Sequence, residues 1–153
     1  MKFIADVMLG RLAKRLRLLG FDVLYDRTLN DNEIIRLSLE QDRVILTRDT
    51  ALAARPLATN HLLVSADRAQ EQMDQVLTAF PAEITDVPLT RCSVCNETLI
   101  PTARDELKDL VPSHIYDEKA DFMLCRMCGR VYWRGSHVTN MMLPSKKKKA
   151  GLP

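Results

Sequence analysis

The chain has 153 residues, 46% of them hydrophobic and 27% charged, which fits a globular protein with one domain, or one domain and a small module. No apolar run reaches the roughly 18 residues of a membrane span, and Asp6 interrupts any signal peptide, so we expect no membrane segment and a cytoplasmic location. The net charge of +2 provides no global basic field, so any contact with nucleic acid must come from local patches.

The first 80 residues alternate short apolar runs with segments of helical periodicity. Strands are predicted at 3–5, 22–25, 44–47 and 61–65, and helices at 8–20, 30–42, 50–55 and 69–80. Gly20 is the expected C-cap of the first helix, and Asn30 with Glu33 resembles a capping box for the second. This alternation predicts an α/β fold, a parallel sheet with helices on both faces, whose sites lie beyond the carboxyl ends of the strands.

The rest of the chain divides into three further parts. Residues 81–90, with two prolines, are predicted to form a last edge strand and a connector. A cysteine-containing module follows, and its interior at 101–121 is predicted to be an insert loop. We therefore place a first domain at 1–88, a second module at 89–142 and a basic disordered tail at 143–153.

Acidic residues follow the predicted strands at equivalent positions. Asp6 follows the first strand, Asp49 follows the third, Asp31 opens the second helix, and Asp67 after the fourth strand is a weaker candidate. Because parallel strands end at one edge of a sheet, these carboxylates are expected to converge there. Converged carboxylates need a cation, and Mg²⁺ or Mn²⁺ suits oxygen ligands. Such an ion activates water and fits hydrolysis of a nucleic-acid backbone.

A purely structural role is the alternative for each of these aspartates. Asp is common where a strand meets a helix, because its side chain accepts hydrogen bonds from the first backbone N–H groups. Asp31 suits the N-terminal end of its helix, and Asp49 suits a cap for residues 50–55. Asp6 fits this alternative less well, since no Gly or Pro marks a plain turn after the first strand.

The first predicted helix carries four cations and no acid. Three of the cations share one side of the helix by their spacing: Arg11, Lys14 and Arg15. An ordinary solvated face is the alternative, but such faces usually intersperse Glu, so the pattern favours a polyanionic ligand. Arg48, next to Asp49, is expected to neutralise a nearby acid or phosphate.

Two CxxC pairs separated by 29 residues form the clearest motif of the chain: Cys92, Cys95, Cys125 and Cys128. Thiolate pairs at this spacing are typical of a closed tetrahedral zinc site, and closed sites of four cysteines are structural. A redox role is the alternative, although it would not require two pairs. Asn96 and Gly129, which follow the pairs, both tolerate the positive φ of a tight metal-binding turn.

The segment RMCGRVYWRGSH at 126–137 interleaves arginines with aromatic residues, a pattern that binds phosphates and stacks on bases. Arg130 and Trp133 are the candidate substrate contacts. The alternative is a hairpin in which Val131 and Trp133 pack on the first domain. His137 fits either a polar core partner or a substrate contact.

Four segments, taken together and in order, resemble the Mut-seven C-terminal RNase domain family, a PIN-like nuclease core fused to a zinc ribbon: DVMLGRLAKRLRLLGFDV, VILTRD, RCSVCN and CGRVYWRGSH. The resemblance covers roughly residues 2–142. It implies RNA as the substrate, and the acids after the first and third strands as catalytic residues. The acid of the second helix is then Asp31 or Glu33, and the last position is Asp67 or Ser65.

These observations predict a Mg²⁺- or Mn²⁺-dependent ribonuclease whose zinc ribbon helps to bind RNA. One alternative is a non-catalytic adaptor that binds nucleic acid or protein through the ribbon and needs no divalent ion. Another is a toxin-like protein with an inhibitor as its partner, since many PIN proteins act in this way. The oligomeric state, including a homo-oligomer, is left open.

Overall fold

The computed structural model describes most of the chain, namely residues 1–81, 89–107, 110–119 and 121–135. The last edge strand and connector predicted at 81–90 are largely outside these ranges, and the predicted tail and His137 are entirely outside them. Within the described ranges, no helix is both long enough and apolar enough to cross a membrane.

The four strands and four helices predicted for the first domain are confirmed. The strands are β1 Lys2–Ala5, β2 Asp22–Leu24, β3 Val44–Thr47 and β4 His61–Leu63. The helices are α1 Gly10–Leu18, α2 Asp31–Gln41, α3 Thr50–Ala53 and α4 Ala69–Ala79. A short 3₁₀ turn at Val7–Leu9 precedes α1, so the first predicted helix begins two residues later than expected.

Two of the predicted helix ends are formed as expected. Gly20 has a φ of 98° and ends α1, with its N–H donating to the Arg17 carbonyl at 2.9 Å. At the start of α2, the Asn30 side chain accepts from the Glu33 N–H at 3.1 Å, and the Glu33 side chain accepts from the Asn30 N–H at 2.9 Å. These caps fix where the two helices leave the sheet.

The four strands form a parallel sheet in the order β2-β1-β3-β4. The chain moves from β1 outward to β2 and then returns to the other side of β1 to form β3. The order therefore reverses between β1 and β3, and the loops that leave these two strands diverge at their carboxyl ends. In open parallel sheets, that crevice is where ligands bind.

Helices cover both faces of the sheet, which explains why the central strands β1 and β3 carry continuous buried runs rather than alternating ones. Phe3 and Leu46 point to the face covered by α1 and α4. Ile4 and Ile45 point to the opposite face, covered by α2 and α3. All four side chains are fully buried, and each contributes on the order of 1.5–3 kcal/mol of hydrophobic stabilisation.

The second module is a three-stranded antiparallel sheet in the order β5-β6-β7, with β5 at Ile100–Thr102, β6 at Phe122–Leu124 and β7 at Val131–Trp133. The prediction of a plain insert loop at 101–121 was wrong in part. A 3₁₀ turn lies at Arg104–Leu107 and a short helix, α5, at Ser113–Glu118. These elements form because Leu107 and Val111, sparse in a polar stretch, are buried against Phe122.

Candidate active site and metal centre

Asp6 and Asp49 lie at the carboxyl ends of β1 and β3, on either side of the point where the strand order reverses. The Asp6 N–H donates to the Leu46 carbonyl at 2.9 Å, which extends the pairing of β1 with β3 by one residue. The strand pairing thus delivers Asp6 to the edge of the sheet where a parallel α/β fold places its ligands.

The Asp6 carboxylate is buried, with 5% of the residue exposed. Oδ1 accepts from the Val7 N–H at 2.6 Å and Oδ2 accepts from the Thr47 hydroxyl at 2.7 Å. Among the described residues, no Lys, Arg or His nitrogen lies within 4.0 Å of it. A buried carboxylate without a basic partner is costly, and its remaining lone pairs suit a metal cation.

Thr47 links the two aspartates, a role that the sequence did not reveal. It is fully buried, its hydroxyl donates to Asp6, and the same oxygen accepts from the Asp49 N–H at 2.9 Å. A signal was nevertheless present, because Thr47 supplies the one hydroxyl of the apolar strand VILT. A buried hydroxyl needs hydrogen-bond partners, and the acids at the strand ends are the nearest polar groups.

Asp49 has the capping role that was considered as its alternative. Its Oδ1 accepts from the Ala51 N–H at 2.7 Å and from the Leu52 N–H at 3.3 Å, at the start of α3. The hydrogen bonds of the described residues engage only this oxygen. The cap therefore orients the carboxylate and leaves its second oxygen for another ligand.

Asp31 and Asp67 lie at the same edge of the sheet, each next to an arginine. An Asp31 oxygen is 4.0 Å from Arg55 Nη1, and Asp67, whose side chain is 87% exposed, is 2.5 Å from Arg48 Nη2. The structure does not gather these two acids with Asp6 into a tight cluster. Among the described residues, the four cysteines are the only group of at least three potential metal-binding side chains whose ligand atoms lie close together.

A groove of about 800 Å³ is lined in part by Val7 and Met8, the two residues that follow Asp6. Its described lining includes one acid, Asp67, and six cations: Arg11, Lys14, Arg15, Arg27, Arg48 and Arg68. The four cations predicted to bind substrate in the first domain are therefore brought together. The other two come from separate loops, and only the tertiary fold places them next to α1.

Part of this basic groove is formed where the Tyr25 side chain packs closely against the start of α1. The Tyr25 hydroxyl donates to the Val7 carbonyl at 3.0 Å, and the ring lies across the first turn of α1. A Cβ atom at Gly10 would be 2.5 Å from the Tyr25 oxygen, so a larger residue there would force the Tyr25 ring to shift. Met8, which is 66% exposed, adds an apolar surface at the entrance.

The four predicted cysteine ligands are brought together, with their sulfur atoms within 4.8 Å of one another. Sγ atoms are 3.6 Å apart for Cys92 and Cys128 and 3.4 Å apart for Cys95 and Cys125. These separations are close to the roughly 3.8 Å between thiolates around a tetrahedral ion with bonds of about 2.3 Å, so the group can hold one metal ion.

The two CxxC turns have the same backbone design. The Cys92 N–H donates to the Glu97 carbonyl at 2.8 Å, and the Cys125 N–H donates to the Arg130 carbonyl at 2.9 Å. Asn96 and Gly129 have φ values of 66° and 72°, as predicted for tight metal-binding turns. Each pair therefore presents its thiols toward the other pair.

The electrostatics of the cysteines also favour a bound cation. Burial acts to raise the pKa of Cys92, but hydrogen bonds from the Cys95 and Val94 backbone and from the Tyr132 hydroxyl lower that pKa to about 6. Burial raises the pKa of Cys95 to about 12, and bonds with the neighbouring thiols add to this effect. Adjacent thiolates disfavour each other's ionisation unless a metal ion neutralises them.

The predicted hairpin at the end of the second module is formed by β6 and β7. Trp133 packs edge-on against Phe122 with ring centroids 6.5 Å apart, and Val131 belongs to the same cluster with Leu107. The alternative that they pack on the first domain was wrong, because the insert supplies apolar partners within the module. Arg130 is exposed beside them.

Comparison with known proteins gives one positive result. The family model described as Mut7-C RNAse domain matches residues 1–143, which includes both the first domain and the cysteine module. No curated protein and no solved structure matches the chain.

Proposed function

The chain belongs to the Mut7-C RNAse domain family, and from that premise we propose that it is a Mg²⁺- or Mn²⁺-dependent ribonuclease that hydrolyses RNA phosphodiester bonds. One observation carries the proposal. The Asp6 carboxylate is buried beside the strand-order reversal, has no basic partner among the described residues, and directly precedes Val7 and Met8, which line a groove that carries six cations.

Asp6 and Asp49 fit a hard divalent ion, because each directs a carboxylate to the same edge and retains unused oxygen lone pairs. Asp31 is the proposed third ligand. Asp67 is a weaker candidate for the fourth, because its side chain is exposed and paired with Arg48. A bound ion would supply activated water and would stabilise charge on the phosphate. Thr47 holds the Asp6 carboxylate in position and so fixes where that ion would bind.

The basic groove is the proposed RNA-binding surface. Six cations line it, and phosphates of a bound RNA strand would neutralise them. Val7 and Met8 of the lining follow Asp6 directly, so we propose that one phosphodiester of that strand reaches the acids. Arg11, Lys14 and Arg15 share one side of α1, and Arg48 joins them from the end of β3. Arg48 is also bonded to Asp67, and a phosphate would compete with that carboxylate for the guanidinium.

We propose structural zinc as the metal of the four cysteines and the ribbon as an additional RNA contact. Arg130 is the better-placed contact of the ribbon because it is exposed. Trp133 is half-buried against Phe122, so its contribution would be the exposed part of its ring. His137 lies outside the described residues, and the sequence pattern is the basis for proposing it as an RNA contact.

The experiment compares RNA cleavage in Mn²⁺ by the zinc-loaded wild type and by Asp6→Asn, Asp49→Asn and Asp42→Asn. The last variant is the matched control, because Asp42 lies at the C-terminal end of α2 with a φ of 52°, which Asn tolerates. We expect the first two substitutions to lower the cleavage rate at least a hundredfold and the control to leave it unchanged. Equal rates in all four proteins would contradict the proposal.

A further inference from the structure

Arg17 lies at the junction of the two domains and contacts both of them. It is 4% exposed, on the C-terminal half of α1. Its Nε donates to the Val23 carbonyl at 2.9 Å, and its Nη1 donates to the carbonyls of Ser93 and Val94 at 3.2 and 2.7 Å. Ser93 and Val94 are the two residues between the first pair of cysteines. One buried guanidinium therefore connects β2 with the turn that presents Cys92 and Cys95.

Asn96 connects the same two parts from the other direction. Its Oδ1 accepts from the Val23 N–H at 3.1 Å, and its Nδ2 donates to Asp22 Oδ1 at 2.8 Å. β2 is an edge strand, so the backbone groups on its outer side have no neighbouring strand to pair with. At Val23, the side chains of Asn96 and Arg17 satisfy the N–H and the C=O instead. The Asn96 contacts depend on the left-handed backbone of the cysteine turn, since that conformation directs the side chain at β2.

The main chain and the apolar side chains strengthen this junction. The Leu89 N–H donates to the Leu18 carbonyl at 2.8 Å. The Leu18 side chain packs against a cluster that contains Leu89, Cys92 and Leu99. The last turn of α1, the middle of β2 and the first cysteine turn are therefore packed as one unit.

The charge of Arg17 has its counterpart in the cysteine site. Among the described residues, no Asp or Glu oxygen lies within 4.0 Å of Arg17. Burial lowers the pKa of Arg17, and the negative charges of Cys92, Cys95 and Asp22 act in the opposite direction. Four thiolates around one divalent ion leave a net charge of about −2, and a buried cation nearby stabilises such a centre.

We propose that Arg17 and Asn96 form a joint that couples metal binding by the four cysteines to the α1–β2 end of the first domain. Arg17 supplies the positive charge and the donors that hold the loaded site, and the loaded site in turn holds the last turn of α1 and the edge strand. The coupling rests on the metal site proposed for the four cysteines and does not depend on the proposed ribonuclease activity.

The first test measures zinc release to a chromogenic chelator from the full chain and from Arg17→Met, Asn96→Gly and Arg36→Met. Glycine keeps the positive φ at position 96 and removes only the side chain. Arg36 is the matched control because its ion pair with Glu40 is exposed and lies within α2, which does not carry any of the junction contacts described above. We expect release to be about 10–100-fold faster in the first variant, several-fold faster in the second and unchanged in the control. Release at the wild-type rate in Arg17→Met would overturn the proposal.

The second test needs no substitution, so it holds even if Arg17→Met does not fold. Amide hydrogen exchange of the wild-type chain is compared before and after zinc is removed with EDTA. The expected result is a loss of protection at Val23 and in the last turn of α1, while Ile45 in the central strand β3 keeps its protection. Unchanged protection at Val23, or an equal loss at Ile45, would overturn the proposal of a local joint.

Discussion

Replacing Thr47 by Val removes one hydroxyl group and leaves the shape of the side chain nearly unchanged. In the wild type this hydroxyl donates to Asp6 Oδ2 at 2.7 Å and accepts from the Asp49 N–H at 2.9 Å, with Thr47 fully buried. Valine therefore leaves a carboxylate oxygen without its donor and a backbone amide without its acceptor. The Asp6 oxygen is buried, and the Asp49 N–H is partly buried.

The size of the effect follows from these two bonds. A hydrogen bond to a charged group is worth about 1.5–3 kcal/mol, and a buried polar group left unpaired costs about 1–3 kcal/mol. The free-energy costs of losing two bonds to the same hydroxyl are not fully additive, so we expect the free energy of unfolding to fall by about 2–4 kcal/mol. For a chain of this size, that corresponds to a Tm lower by roughly 5–15 °C.

The assay is denaturant unfolding of the wild type, Thr47→Val and Thr47→Ser. Serine keeps the hydroxyl and loses one methyl group, so its expected cost is about 1 kcal/mol. If the proposed function is correct, the valine variant also loses at least tenfold in cleavage rate, because Asp6 is no longer held in position, and the serine variant retains most of its activity. Unfolding of Thr47→Val at the same denaturant concentration as Thr47→Ser would refute the reasoning.

Three further predictions concern the junction, the metal and the groove. Burial acts to raise the pKa of Asp22, but a hydrogen bond and charge from Arg43 and a hydrogen bond from Asn96 outweigh it and lower that pKa. The ionised carboxylate therefore stabilises the fold above about pH 4, and this contribution is lost as the pH falls through the lowered pKa. In urea titrations, Asp22→Asn should show a shallower acid-induced loss of stability. Elemental analysis should find one zinc per chain. Cys128→Ser should release the zinc and unfold the second module, which circular dichroism would detect. A folded, metal-free variant would contradict a structural role. Arg11→Gln should weaken RNA binding and reduce the slope of log K against log salt by about 0.7, and an unchanged slope would remove this cation from the RNA-binding surface.

The elements of the first domain were predictable because each strand is a short apolar run followed directly by a polar residue or turn. Burial on both faces of the sheet makes such runs continuous, and β3 is the clearest case. The acids were predictable as positions at one edge, but not as a geometry. Asp49 shows why, since the same residue caps α3 with one oxygen and directs the other away. A sequence pattern does not separate these two uses.

The remaining features depend on contacts between residues far apart in the chain. Arg17 and Val94 are bonded across 77 positions, and no local pattern marks such a pair. Arg68 joins the basic groove only because the fold places the start of α4 beside α1. In the insert, Leu107 and Val111 are too sparse to show a helical or strand period, yet their burial orders the segment.

The edge position of β2 has a consequence for how this protein can be divided. An uncovered edge strand is a template on which another chain can pair, and proteins protect such edges to avoid aggregation. Here Arg17 of the first domain occupies the outward C=O of Val23 and Asn96 of the cysteine module occupies its N–H, so the cysteine module contributes part of that protection. A fragment that stops at Pro81 would lack the cover contributed by Asn96. We expect it to self-associate through β2 and to be less soluble than the full chain. The first domain therefore depends on the cysteine module for part of its solubility.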